Sequence, residues 1–411
     1  MSEILFLSHR VPFPPDRGDK IRSHHVLRHL ASLAPVHVAT FADDALDFAA
    51  EPDLAEVAAS HCLVRRTKPL ALAAAEAMVS GKPISLSAFR SSELKGYVGN
   101  LLQNRPISTV YMFSGQMAQY IPDEYHGRVI ADFVDVDSAK FEAYAQRDGG
   151  VKGWAEAREA RLLRSEEARI ADRADVSLLI SDEESALFRD RLPENLRART
   201  SVRTLANGID SQAFDPSKVT QPASSIADLP FPRLIFTGQM DYAPNIEACL
   251  RAARHILPRV REHLPQASFH VVGRNPPERL RGLHGREGFY VWGRVPEVQP
   301  WLAAADLALV PLQIGRGVQN KVLEAMAMAL PVVLTPEAAT GIRAHNGTDF
   351  AMAASDTELA QACVALLSDS SRRQAMAEAA RRYVVAQASW QAALTPLTSL
   401  VLDQTIARDA A

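Results

Sequence analysis

The sequence predicts an α/β protein of two domains, each a parallel sheet covered by helices on both faces. Short, continuously apolar runs alternate with longer helical patterns along almost the whole chain. Its 411 residues exceed what a single hydrophobic core usually serves. Residues 207–232, "NGIDSQAFDPSKVTQPASSIADLPFP", crowd Pro, Ser and Asp without periodicity and mark an interdomain connection. The expected boundaries are a first domain over 1–206, a linker over 207–232, a second domain over 233–384, and a terminal helix over 385–411 packing back on the first domain.

Taken in order, "EILFLS" reads as the first strand; it lacks the basic start and small-residue cleavage site of a signal peptide. The loop "VPFPPDRGDKIRS" leads into the helical pattern "SHHVLRHLASL", and "VHVATF" is the next strand. Residues 65–90 combine basic ends with an apolar helix, which reads either as core or as a surface for the cytoplasmic membrane. "STVYMF" and "RVIADFVDV" follow as strands, then the long helix "WAEAREARLLRSEEARIADRA", then the strands "DVSLLIS" and "VRTLAN". The second half repeats the rhythm with "RLIFTG", "ASFHVVG", "FYVWGRV", "DLALVPL" and "LPVVLT". In such sheets ligands bind beyond the carboxyl ends of the strands, so two domains are expected to present those ends to a central cleft.

A net charge of -3 gives no field for nucleic acid or anionic lipid as a whole. Three scattered cysteines, Cys62, Cys249 and Cys363, have no neighbours at metal-ligand spacing and suit a reducing cytoplasm. Apolar runs fall short of the ~20 residues of a membrane span, so any membrane contact is expected to be peripheral.

The stretch "GVQNKVLEAMAMALPVV", 317–333, is apolar on both helical faces, yet carries Lys321 and Glu324 in its first turns. A helix amino terminus disfavours a cation unless an anion sits in front of it, held by the free N–H groups and the lysine. Gly315 and Gly317 would let the backbone approach that anion, and Glu324 could accept bonds from vicinal sugar hydroxyls. Anion plus diol describes a nucleoside diphosphate. An intrahelical Lys321–Glu324 pair would explain the same spacing equally well.

Other candidates are Gly18, between a strand and a helix, with Lys20 and Arg22 either solvated or facing an anionic acceptor. Asp132, Asp135 and Asp137 end an apolar strand. Asp137 suits a helix cap, Asp135 a functional carboxylate, and the three together could bind a divalent cation. Ser181 and Glu184 have capping-box spacing, and Gly273 with Arg274 marks a strand end where a base or phosphate could pass. His9, His24 and His25 read as packed or exposed side chains.

"NKVLEAMAMALPVVLT" resembles the nucleotide-binding signature of retaining GT-B glycosyltransferases of family 4. "LSHRVPFPPDRGDKIRSHHVLRHLA", "LANGIDSQAF", "FTGQMDYAPNIEA" and "WLAAADLALVPL" resemble further motifs of that family, in its order. "DFVDVDSAKF", "TGQMDYAPN" and "GVQNKVLEAMA" are similar to the sugar transferases of bacterial exosortase (PEP-CTERM) exopolysaccharide loci.

The resemblance implies two Rossmann-like domains and transfer of a sugar from a nucleoside diphosphate donor to a glycan or polyprenyl-linked acceptor. It implies no cofactor, no metal and a cytoplasmic location. It assigns the donor to Gly18, Gly238, Gly273, Arg316, Gly317, Asn320, Lys321 and Glu324, with Asp135 and Glu324 as catalytic carboxylates. The family's first motif glutamate would fall at 316, where this chain has Arg316; Arg316 and Lys321 are read as replacement cations for the diphosphate. A GT-B nucleotide-sugar epimerase and a catalytically silent GT-B scaffold fit the same residues.

Overall fold

The computed structural model describes residues 2–315 and 317–402. The chain forms two compact units: Met1–Asn207 with the chain from Leu394 onward, and Gly208–Ala393.

Unit 1 is a seven-stranded sheet of β1 (Glu3–Ser8), β2 (Val36–Ala42), β3 (Ser60–Arg65), β4 (Ile107–Phe113), β5 (Arg128–Val134), β6 (Val176–Leu179) and β7 (Val202–Thr204). Their spatial order is β3-β2-β1-β4-β5-β6-β7 and every pairing is parallel. Unit 2 holds β8 (Arg233–Thr237), β9 (Ser268–Val272), β10 (Phe289–Gly293), β11 (Leu307–Val310), β12 (Val332–Leu334) and β13 (Ala351–Met352). Here the order is β10-β9-β8-β11-β12-β13, again parallel throughout. Both units are therefore Rossmann-like, and each sheet reverses its winding once, at β1/β4 and at β8/β11. At such reversals the loops diverge and leave a crevice at the strands' carboxyl ends.

The central strands are buried on both faces: all six residues of β1 and all four of β11 are shielded from solvent. Continuous burial is why residues 4–7 of β1 and the whole of β11 read as unbroken apolar runs. Two strands are absent from the sequence reading. The edge strand β3, "SHCLVR", is only half-buried and β13 is two residues long, so neither carries that signal.

The first helix runs Gly18–Leu33, five residues before the apolar pattern begins. Its first turns hold Lys20 and Arg22, which are buried rather than solvated or turned to an acceptor. Lys20 pairs with Asp47 and donates to the Phe13 carbonyl. The Arg22 guanidinium grips both Asp132 oxygens, at 3.0 and 3.1 Å, and also donates to the Leu205 carbonyl and the Asn207 side chain.

The stretch 208–232 is not a free linker. Ile209 and Ile226 sit in the core of unit 2, and the Ile209 N–H bonds the Ala388 carbonyl. The helix Trp390–Leu402 passes from unit 2 into unit 1, where Leu397 and Leu400 are buried.

Candidate functional site

At the β8/β11 reversal, unit 2 opens a pocket of about 770 Å³. Gly238 follows β8, Gly273 and Arg274 follow β9, and the helix Asn320–Ala327 points its amino terminus there from the β11 side. Five expected donor residues, Gly238, Gly273, Asn320, Lys321 and Glu324, line this one pocket. Gly317, in the left-handed region at φ 63°, lies just before the lining residues Val318 and Gln319. Arg316 lies outside the described residues.

Lys321 occupies the first turn of its helix. Its ammonium donates to Asn245 Oδ1 at 3.1 Å and Gln319 Oε1 at 3.0 Å, and lies 5.5 Å from the centroid of the Phe236 ring. Burial lowers its pKa, with Glu324 pulling the other way. Among the described residues it forms no ion pair within 4 Å, so the intrahelical-pair reading is not what the structure shows. Two neutral amide oxygens orient the charge without neutralising it. Glu324 sits one turn on and is half-buried in the pocket wall; desolvation pushes its carboxyl up to about 7, against the pull of Lys321. No hydrogen bond to this carboxyl is found among the described residues, so its oxygens stand open to a ligand's hydroxyl donors in the pocket.

The sequence reading missed Asn245. Buried at the start of the helix Ala243–Arg251, its side chain accepts from Lys321 and donates to the Gln239 carbonyl at 2.9 Å. It thus ties the loop after β8 to the cation. A polar residue at a helix start normally signals a cap, which conceals this role. The glycines have steric causes. A Cβ on Gly273 would lie 1.6 Å from the Gly238 carbonyl oxygen, so the loops after β8 and β9 touch backbone to backbone. A Cβ on Gly238 would crowd Asn245 and Lys321, at 3.0 and 3.2 Å.

In unit 1, Gly18 opens the helix after the β1 loop, and a Cβ there meets nothing within 4 Å. Asp135 is exposed beyond the carboxyl end of β5. The turn before it is strained: Val134, a β-branched residue, has φ 68°, and the Asp135 N–H bonds the Phe133 carbonyl at 2.9 Å. The Val134 N–H donates to Asp132, and its carbonyl accepts from Ile180.

Asp132 itself is fully buried, bonded to Arg22 and the Tyr111 hydroxyl, and unavailable to a metal ion. Among the described residues no group of three His, Cys, Asp or Glu side chains is placed to hold one. Asp137 does not cap its helix but is the first residue within it. The amino-terminal N–H groups there go to other carboxylates: Ser138 to Glu167, and Val136 to Glu184. Ser181 caps its own helix by accepting from the Glu184 N–H. His9, set aside from the sequence, follows β1, stacks on Phe113 and lies 3.4 Å from Asp19. Burial alone would raise the Asp19 pKa, but His9 and Arg10 more than reverse it and hold the carboxylate ionised.

Residues 231–369 match the family "Glycosyl transferases group 1". The chain has no match among curated protein sequences. Among solved structures it is similar to HepE of Anabaena, solved with UDP, at 13% identity over 98% of this chain and 99% of that one, TM-score 0.60. WaaG, a glycosyltransferase involved in lipopolysaccharide biosynthesis, aligns at 17% identity over 97% and 100%, TM-score 0.55. Sucrose-phosphate synthase of Thermosynechococcus elongatus aligns at 15% identity over 98% of each chain, TM-score 0.57. The fold is thus GT-B, with a group 1 glycosyltransferase domain in unit 2.

Proposed function

We propose, from a group 1 glycosyltransferase domain on a GT-B fold, that the chain moves a sugar from a nucleoside diphosphate sugar to a hydroxyl of a glycan or lipid-linked glycan. We assign the transfer to exopolysaccharide synthesis, with retention of anomeric configuration. One observation carries the donor: a helix amino terminus and an unneutralised Lys321 stand one turn from a half-buried Glu324, with no hydrogen bond to its carboxyl among the described residues, in a single pocket. The first-turn N–H groups and Lys321 take the diphosphate, and Glu324 takes the ribose hydroxyls. As the sugar–phosphate bond breaks, negative charge grows on the departing diphosphate, where the same donors stabilise it. Arg274 and Arg294, also lining the pocket, supply further positive charge. Asp135 is assigned to a hydroxyl of the reacting sugars.

HepE was solved with UDP-glucose, which makes UDP the first ligand to test. Calorimetry should show UDP binding that weakens about tenfold or more in Lys321→Ala, the loss of a charge-assisted contact. Equal affinity in the two proteins would remove Lys321 from the diphosphate. Asp135→Asn should keep UDP affinity while transfer from a UDP-sugar falls about a hundredfold. Binding and transfer that fall together would make Asp135 part of the donor pocket instead.

A further inference from the structure

We propose that the helix Leu70–Ser80 of unit 1, with the first turn of the helix Gly150–Arg173, docks the protein on an anionic lipid surface. This does not rest on the donor site, which lies in unit 2. The helix is amphipathic in the wrong sense for a globular core. The residues it turns inward are Ala73 and Ala77, while its large apolar side chains stay in solvent. Leu70 is 71% exposed, Leu72 51%, Met78 55% and Val79 92%. With exposed Ala71 and Ala75 these follow helical spacing, so the outward face is apolar along the helix.

The surface continues onto a second element. Arg158 donates to the Ala77 and Lys82 carbonyls, fixing its helix against the end of the first. Val151 and Trp154 lie on the Arg158 stripe at helical spacing and are 84% and 58% exposed. A tryptophan beside an apolar face is the residue that settles at a lipid headgroup boundary.

Charge selects the occupant. Residues 65–82 carry four cations, Arg65, Arg66, Lys68 and Lys82, against one carboxylate, Glu76, in a chain whose net charge is -3. Arg65 and Lys82 are exposed at opposite ends of the apolar helix. A second copy docking on this face by a two-fold axis would bring cation against cation at each end. An anionic bilayer instead accepts the apolar face into its headgroup boundary and pairs both ends with lipid phosphates. No described helix is long and apolar enough to cross the membrane, so the contact is a surface one.

The test uses the purified full chain in sedimentation with vesicles of phosphatidylcholine alone and of phosphatidylcholine with phosphatidylglycerol. Binding to the anionic vesicles is expected, weakening with salt. It should fall at least about tenfold in a Leu72→Asp, Val79→Asp double variant. Arg65→Gln and Lys82→Gln should each cost about fivefold. Trp154→Phe should abolish most of the blue shift in tryptophan emission on adding vesicles. These sites are exposed, and melting temperatures matching the parent chain confirm intact folding. Absent binding, equal binding to both vesicle types, or an unaffected double variant each overturns the proposal. So does self-association that the double variant abolishes without any vesicle binding, which assigns the face to a second copy.

Discussion

Replacing Glu324 by glutamine keeps the side chain's shape and removes a charge that the folded chain accommodates poorly. The carboxyl moves from its ordinary 4.5 to about 7 in the pocket. Between those values the folded state holds a proton that the unfolded state has released, so this group's contribution to stability falls as pH rises. A neutral glutamine escapes that loss. The variant should gain roughly 1 kcal/mol at pH 5 and about 3 kcal/mol at pH 8. Unit 2 spans Gly208–Ala393. For a unit of that size the larger gain raises the melting temperature by roughly 6–12 °C. Thermal melts of both proteins at the two pH values measure it. Saturating UDP should shrink the pH 8 difference, because ribose hydroxyls would then bond the ionised carboxylate. A gain that is equal at both pH values, or a loss at pH 8, would refute the reasoning and mean that Glu324 has an internal partner.

The glycines separate packing from ligand contact. Gly273→Ala should cost about 3 kcal/mol and abolish UDP binding, since its Cβ would overlap the Gly238 carbonyl. Gly18→Ala has room and should melt at or slightly above the parent temperature; lost activity there would mark a ligand passing over that residue. Denaturant unfolding of Arg22→Ala should show a loss of about 3–5 kcal/mol, because Asp132 is left charged and buried without its partner. A loss below 1 kcal/mol would mean the network is not ionised as drawn.

What the sequence reveals here follows from how local each signal is. Central strands are legible because burial on both faces gives them unbroken apolar stretches, residues 4–7 in β1 and the whole of β11. The donor helix is legible because its anomaly, two charges in an apolar pattern, lies within four residues. Lys20 and Arg22 are not, since their partners Asp47 and Asp132 stand 27 and 110 residues away and only the fold joins them. Asn245 is hidden for the same reason, being 76 residues from Lys321. Gly273 is visible as a special residue, but its cause is a backbone contact with Gly238 that no linear pattern records. Asp137 shows the converse failure: a residue of the right type at a helix start, displaced from capping by Glu167 and Glu184.

Unit 1 is discontinuous in the chain, and this orders its synthesis. Leu394, Leu397 and Leu400 fill its surface, Thr398 meets His29 at 2.9 Å, and Arg128 reaches the Leu400 carbonyl. None of the residues from Leu394 to Leu400 exists when the ribosome has finished Asn207; all of unit 2 must be made first. The nascent first unit therefore waits with an uncovered apolar strip while the second folds beneath the tunnel exit. A premature stop just before residue 394 would leave the residues of unit 2 complete and injure unit 1, so that codons read after the second unit guard a unit read before it.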